Sequence, residues 1–332
     1  MPRLHVRGIL LTAGNVRSTG QVHTLTRALR AASGGPLLLT IDEEGGRVSS
    51  LAPIVGSTPS ARLQGAVGAA SAQQRATVLA ASLRGLGLTS DLAPVADADG
   101  GPAGGAIGDR SYAGTPTAAG ADALAVARAL ASGGITPAIK HFPGLGRAAG
   151  DTHLSDPIVQ ADLASLARTD LRPFVDAVRA GAPLVMLGHA EYTAFGDGLP
   201  TSMSPPAYRP LRSVGFTGVA MTDSIGMGAV NTRFDYPEAA VRALVAGADA
   251  VLATDGRETV RMRDAIVAAM RSGRLPEARL DEAAARVARL GGGDPIRLTC
   301  RDAVLPSLLA TPTRARSAGR AKPPAEPARR QP

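Results

Sequence analysis

Residues Ala138–His153 read AIKHFPGLGRAAGDTH, and this stretch decides how the rest of the chain is understood. An apolar, strand-type run from Gly134 to Ile139 leads into it and ends at Lys140 and His141. Pro143-Gly144 then turns the chain, and a Gly- and Ala-rich loop carries it to Asp151-Thr152-His153. Titratable residues crowded where a strand becomes a loop are the pattern of an active site on a parallel α/β scaffold. Gly218–Ser224, GVAMTDS, repeats the theme: a buried-type strand that ends in a carboxylate, Asp223.

Working outward, five further runs of the same kind appear, 8–12, 36–41, 88–95, 184–187 and 248–253, beside 134–139 and 218–221. They are continuous apolar segments, the type that parallel sheets bury on both faces. Helical patterns separate them at 21–32, 71–86, 117–132, 161–180, 236–246 and 257–272. A last helix, 276–290, opens on Pro276 and stops at Gly291-Gly292-Gly293. Alternation of this kind gives right-handed crossovers and a parallel sheet, either open and doubly wound or closed as a barrel. Polar residues end nearly every strand: Asp42-Glu43-Glu44, Asp91 and Asp97, Lys140-His141, His189, Asp223, Asp255. Catalytic groups drawn from many strand ends are the barrel habit, whereas an open sheet gathers them at one switch point. The expected fold is therefore an α/β, TIM-type (β/α)8 barrel over residues 1–293. Seven strands are one short of eight, so the barrel is expected to lack its first strand.

Composition narrows the function classes. Across 332 residues, 45% are hydrophobic but only 3% aromatic, with no Trp, so the core must be built from Ala, Val and Leu. Net charge is +8, which invites a nucleic-acid reading. Its distribution argues otherwise: Arg314, Arg316, Arg320, Lys322, Arg329 and Arg330 against Glu326 place most of it in the last residues. The segment 294–332 is Pro/Ala/Arg-rich without apolar periodicity, and is expected to be a largely disordered, solvated tail. The single cysteine, Cys300, permits no internal disulfide and reads as an inert thiol. No apolar run spans a bilayer, and the opening MPRLHVRGILLT is too short in its apolar part for an export signal. As written the chain is expected in the cytoplasm, and secreted or lipid-anchored if its true start lies upstream.

The residue-level chemistry has competing readings. Asp151 and His153 stand two apart; in an extended loop both would point the same way, letting the carboxylate fix the imidazole tautomer. The bland reading is a surface Asp-x-His. Asp223 is either a nucleophile facing a pocket or a helix cap, though Ile225-Gly226-Met227-Gly228 is a poor helix start. Asp42-Glu43-Glu44-Gly45-Gly46-Arg47 is either a sugar-binding turn or a salt-bridged one. Asp42, His141, Asp151, His153, His189 and Asp223 also admit a carboxylate–imidazole metal site, without the tight spacing such sites show. The glycines before Asp109-Arg110-Ser111 are not followed by Gly-Lys-Ser/Thr, so they form no phosphate loop.

Five motifs in order, DEEGGRV (42–48), GDRS (108–111), KHFPGLG (140–146), DTH (151–153) and TDSIGM (222–227), resemble glycoside hydrolase family 3. The likeness is to its single-domain β-N-acetylglucosaminidase (β-N-acetylhexosaminidase) branch and covers roughly residues 8–290. It implies a TIM barrel and a retaining, exo-acting hydrolase with Asp223 as nucleophile, His153 as acid/base and Asp151 as its dyad carboxylate. Sugar-binding positions fall on Asp42, Arg110, Lys140 and His141. No cofactor or metal is implied. The implied partner is a small carbohydrate, a GlcNAc-containing muropeptide or chitooligosaccharide, acted on by a monomer with no nucleic acid. Phosphorolysis at the same site and a catalytically impaired sugar-binding barrel are the alternatives. Leu145 and Glu44 depart from residues common in the family, His and Gln, and Glu44 is expected to add a charge beside Asp42. His189 and Glu191 are expected near the same mouth.

Overall fold

The computed structural model describes residues 6–291. Eleven strands are formed: β1 (Gly8–Leu11), β2 (Leu38–Ile41), β3 (Glu43–Gly45), β4 (Val48–Ser49), β5 (Ser90–Asp91), β6 (Thr136–Phe142), β7 (Ile158–Val159), β8 (Leu184–Leu187), β9 (Glu191–Tyr192), β10 (Val219–Ser224) and β11 (Ala250–Leu252). Seven of them make one sheet in the order β1-β2-β5-β6-β8-β10-β11, and every ladder in it is parallel. The order never reverses, so there is no switch point. This is barrel winding. All seven expected strands are present, and an eighth is not found among the described residues. The tail 294–332, with Cys300, lies outside them.

Among the described residues there are also twelve α-helices: α1 (Thr19–Ser33), α2 (Ala52–Val55), α3 (Ala61–Val67), α4 (Ala69–Gly85), α5 (Pro116–Ser132), α6 (Leu163–Arg168), α7 (Arg172–Arg179), α8 (Pro205–Ser213), α9 (Gly228–Asn231), α10 (Tyr236–Ala246), α11 (Thr259–Arg271) and α12 (Glu277–Leu290). The single helix expected over 161–180 is broken at Thr169. Pro173 has no N–H to offer the Thr169 carbonyl and its ring would clash with it, so the helix must restart. Helix α8 went unread because its sequence, PPAYRPLRS, is rich in proline. Pro205 and Pro206 occupy its first turn, where no N–H is needed. The expected strand 88–95 shrinks to Ser90–Asp91 plus one bridge, Val95 to Lys140, since Pro94 cannot donate to a ladder.

Side-chain alternation splits the core in two. Leu184, Met186, Val219, Met221, Ala138 and Leu92 pack on one side of the sheet together with Leu10 and Leu252. Val185, Leu187, Ala220 and Ile139 point the other way, into the layer between sheet and helices. Val287 and Leu290 of α12 enter the first cluster, so the last helix helps close the face that the strands alone leave open. That helix is held by a buried carboxylate, Asp249, which accepts from Arg212, Arg279 and Arg286 as well as from the Ala220 N–H. The opposite, C-terminal ends of the strands are left free for chemistry.

Candidate active site

Asp42 directly follows β2, and the β3–β4 hairpin beyond it is a structural turn. Glu43 is buried, and its carboxylate accepts from Ser49 Oγ and Leu51 N at 2.6 and 2.8 Å. Arg47 is likewise committed: its Nη2 donates to the Gly105 and Ile107 carbonyls, and its Nε pairs with Asp109 at 3.1 Å. Of the two readings of this segment, the structural turn holds for Glu43, through hydrogen bonds, and for Arg47, through its ion pair with Asp109. Asp42 and Glu44 face the site.

Arg110 is delivered by the loop 99–110. Arg62 clamps that loop by donating to the carbonyls of Asp99, Gly101 and Gly108, and Asp99 accepts from the N–H groups of Gly101 and Gly108. Gly108 has φ +55°, and a Cβ there would lie 2.2 Å from the Ala103 carbonyl, so only glycine fits. The guanidinium grips Glu44 with two parallel bonds, Nε to Oε2 at 2.7 Å and Nη2 to Oε1 at 2.8 Å. Lys140, inside β6 rather than past its end, pairs with Glu44 at 2.6 Å and with Asp42 at 2.8 Å. Burial pushes the Glu44 carboxyl up, but the charges of Arg110 and Lys140 outweigh it and hold it well below the usual carboxylate range. Burial pulls Lys140 down, and Asp42 and Glu44 more than reverse that, keeping it a firm cation. Glu44 therefore does not add a free charge beside Asp42, contrary to expectation. It is spent between two cations.

His141 is oriented from below by Asp97, which accepts from its Nδ1 at 2.7 Å, from its backbone N–H at 3.2 Å, and from Leu145 N at 2.7 Å. Arg110 Nη2 lies 3.2 Å from His141 Nε2. A guanidinium only donates, so Nε2 offers its lone pair and Nδ1 carries the proton to Asp97. On its far side Nε2 stands 3.9 Å from Asp223 Oδ2, too far for a direct hydrogen bond.

Asp223 is the penultimate residue of β10. It does not cap the helix that follows, which starts at Gly228; its Oδ1 accepts instead from the adjacent Ser224 N–H at 2.7 Å. Burial raises its carboxyl, but the imidazoles of His141 and His189, the Lys140 ammonium and that N–H together bring it below the usual range. His189, fully buried beyond β8, donates Nε2–H to the Ser224 carbonyl at 2.9 Å and accepts from Ser202 Oγ at 2.7 Å. Burial lowers its pKa, consistent with that neutral tautomer. It thus pins the residue next to Asp223.

Asp151 and His153 pair as expected, Oδ1 to Nδ1 at 2.7 Å, but in a turn rather than an extended loop. Leu154 and Ser155 N–H both bond to the Asp151 carbonyl, and Asp151 Oδ1 also takes the His153 N–H. A carboxylate only accepts, so Nε2 is the free nitrogen, and the His153 side chain is 61% exposed. Burial raises Asp151, while the His153 backbone and side-chain bonds lower it by more. The turn is docked onto the segment just past Asp223, with Gly228 N donating to the His153 carbonyl at 3.0 Å and Ala229 N to that of Thr152 at 3.1 Å. The metal alternative does not form: no group of three His, Cys, Asp or Glu suited to an ion converges among the described residues.

Sequence reasoning missed the organising roles of Glu44, Asp97 and His189. Asp97 was visible only as one more strand-end acid, and nothing in the sequence joins it to His141. Glu191 lies in β9, paired with β7, away from these bonds.

Comparison with known proteins follows the same lines. The sequence matches the glycosyl hydrolase family 3 N terminal domain over residues 1–290. It is 37% identical over 275 residues to the beta-hexosaminidase LpqI of Mycobacterium tuberculosis, covering 80% of this chain and 71% of the relative. A solved family 3 glycosyl hydrolase from Mycobacterium smegmatis superposes with a TM-score of 0.81 at 36% identity, covering 86% of this chain and 88% of that one. A solved family 3 beta-N-acetylglucosaminidase from a Paenibacillus species gives 0.83 at 32% identity, covering 87% of this chain and 56% of that one.

Proposed function

Because this chain belongs to glycosyl hydrolase family 3 and is a glycoside hydrolase, we propose that it is a retaining exo-β-N-acetylglucosaminidase. It releases terminal N-acetylglucosamine from small glycans such as cell-wall (peptidoglycan) fragments, acting as a monomer on a (β/α)8-type barrel. The observation that carries this reading is the pairing of a half-buried carboxylate kept ionised, Asp223, with a proton carrier on a turn docked just beyond it, His153 on Asp151.

The mechanism follows from the donor and acceptor sense of each group. Asp223 Oδ2 attacks the anomeric carbon while His153 Nε2–H gives its proton to the leaving oxygen, and a glycosyl ester of Asp223 forms. Water then attacks that carbon, its proton passes to His153 Nε2, and Asp223 leaves as a carboxylate. Asp151 holds Nδ1 throughout, so one nitrogen does all the proton exchange. Asp42 is 29% exposed and gives only Oδ1 to Lys140, which leaves Oδ2 for sugar hydroxyls. Asp223 Oδ2 stands 3.9 Å from His141 Nε2, too far for a direct hydrogen bond, so it is free to attack. Arg110 and Lys140 donate from the floor.

Hydrolysis of p-nitrophenyl N-acetyl-β-glucosaminide tests the reading. Asp223→Ala is expected to abolish turnover, and His153→Ala to slow it by roughly 100- to 10,000-fold. A slow fluorinated glycoside should label the peptide that contains Asp223; label elsewhere, or full activity without Asp223, would overturn the assignment. As for place of action, wall fragments are met on either side of a membrane, and fractionation of cells would locate the enzyme.

A further inference from the structure

The floor of the site carries two cations, Lys140 and Arg110, and both are paired to one carboxylate. Glu44 spans them with three contacts of 2.6, 2.7 and 2.8 Å, and its side chain is only 2% exposed. Around the same floor stand three more carboxylates, Asp42, Asp97 and Asp223, so the acids outnumber the two cations. A neutral side chain of the same shape could fill the space of Glu44, but it would make the floor of the site one charge less negative. The charge is what distinguishes glutamate here.

We propose that Glu44 is a specificity-determining residue, one that reserves this site for neutral terminal sugars and for neutral acceptors by keeping the floor around Lys140 and Arg110 net negative. The proposal rests on the reading of Asp223 as the nucleophile. Its consequence is sharpest at the second chemical step. When water is the acceptor, its oxygen bonds to the anomeric carbon, the bond to Asp223 breaks, and the water proton goes to His153. When phosphate dianion is the acceptor, an unprotonated oxygen forms that bond, Asp223 leaves with its electron pair, and no proton need move. Phosphate is thus chemically competent. Net negative charge around the intermediate is what turns it away, since one unit charge a few ångströms off in a partly buried site outweighs thermal energy several-fold.

The test is acceptor partitioning with p-nitrophenyl N-acetyl-β-glucosaminide, comparing wild type, Glu44→Gln and Glu44→Asp. Free sugar, glycosyl phosphate and, in parallel reactions, methyl glycoside formed from added methanol are measured. Wild type is expected to give almost only free sugar in the presence of phosphate. Glu44→Gln should raise the phosphate-to-water product ratio by roughly tenfold or more, with the methanol-to-water ratio unchanged. Glu44→Asp, which keeps the charge, should partition like wild type. The ratio does not depend on how much enzyme folds, so a loss of total activity leaves the test intact. Equal phosphate-to-water ratios in wild type and Glu44→Gln would overturn the proposal, as would phosphate and methanol ratios rising together, the mark of a merely loosened pocket. If the variants do not fold, wild type alone decides: glycosyl phosphate as its main product would overturn the proposal. Absence of p-nitrophenol release by wild type, or turnover surviving in Asp223→Ala, would instead overturn the reading of the site.

Discussion

Asp97 never faces the reacting carbon, yet it holds more of the site than any residue that does. It is buried and accepts from the His141 ring, the His141 backbone and the Leu145 N–H. Removing such a carboxylate strands buried donors, and each stranded donor costs more than a typical net hydrogen bond contributes. Asp97→Ala is therefore expected to lose about 2–5 kcal/mol of stability in denaturant unfolding. Turnover should fall with it, because His141 would no longer be fixed against Arg110. Unchanged stability would mean that the β6 end is held by other bonds. Glu44 belongs to the same scale, since its effect is one charge placed between two others.

At the scale of the element, the acid/base turn is positioned by another element's backbone. Gly228 opens α9, and a Cβ there would lie 2.8 Å from the His153 carbonyl and 2.9 Å from the Leu154 carbonyl carbon. Those are backbone atoms, so the turn would have to withdraw rather than a side chain swing aside. Gly228→Ala is expected to lower kcat/KM by roughly 100-fold, the cost of an ångström-scale misplacement of a catalytic group. The turn is exposed and carries little of the core, so the unfolding midpoint should hardly move. A parallel loss of stability and activity would show instead that α9 itself is disrupted.

Over the whole molecule, carboxyls pull in opposite directions with pH. Asp223, Glu44 and Asp151 have depressed pKa values in the folded state. Their contribution to stability is present above the unfolded carboxylate pKa, about 4, and is lost as pH falls through the folded values. Asp91 and Glu43 are raised, in both cases chiefly by burial. For these the folded state holds the extra proton, so they weaken the fold progressively as pH rises from about 4 through their folded values. Asp91 is the stronger case, fully buried with Oδ2 lacking a partner among the described residues. Asp91→Asn removes that dependence, and its stability advantage over wild type is expected to widen as pH rises above about 4 in denaturant unfolding. A constant difference across that range would mean that Asp91 does not titrate with folding.

The sequence by itself determined the seven parallel strands and most of the helices between them, because apolar runs and helical periodicity are local signals. It also singled out Asp42, Lys140, His141 and Asp223 as titratable residues at strand ends and the Asp151–His153 pair on a loop, while the sugar-binding and catalytic roles came from the motifs' resemblance to glycoside hydrolase family 3. Where it misjudged an element, the cause was proline: Pro173 breaking a helix, Pro94 clipping a strand, Pro205 and Pro206 opening a helix that did not look like one. Only the tertiary structure decided which charges meet. Glu44 reaches Arg110 across 66 positions and Lys140 reaches Asp42 across 98, separations over which no pattern in a chain carries information. Whether a glutamate is a free charge or a cancelled one depends on what folding brings to it, and here folding brings two cations.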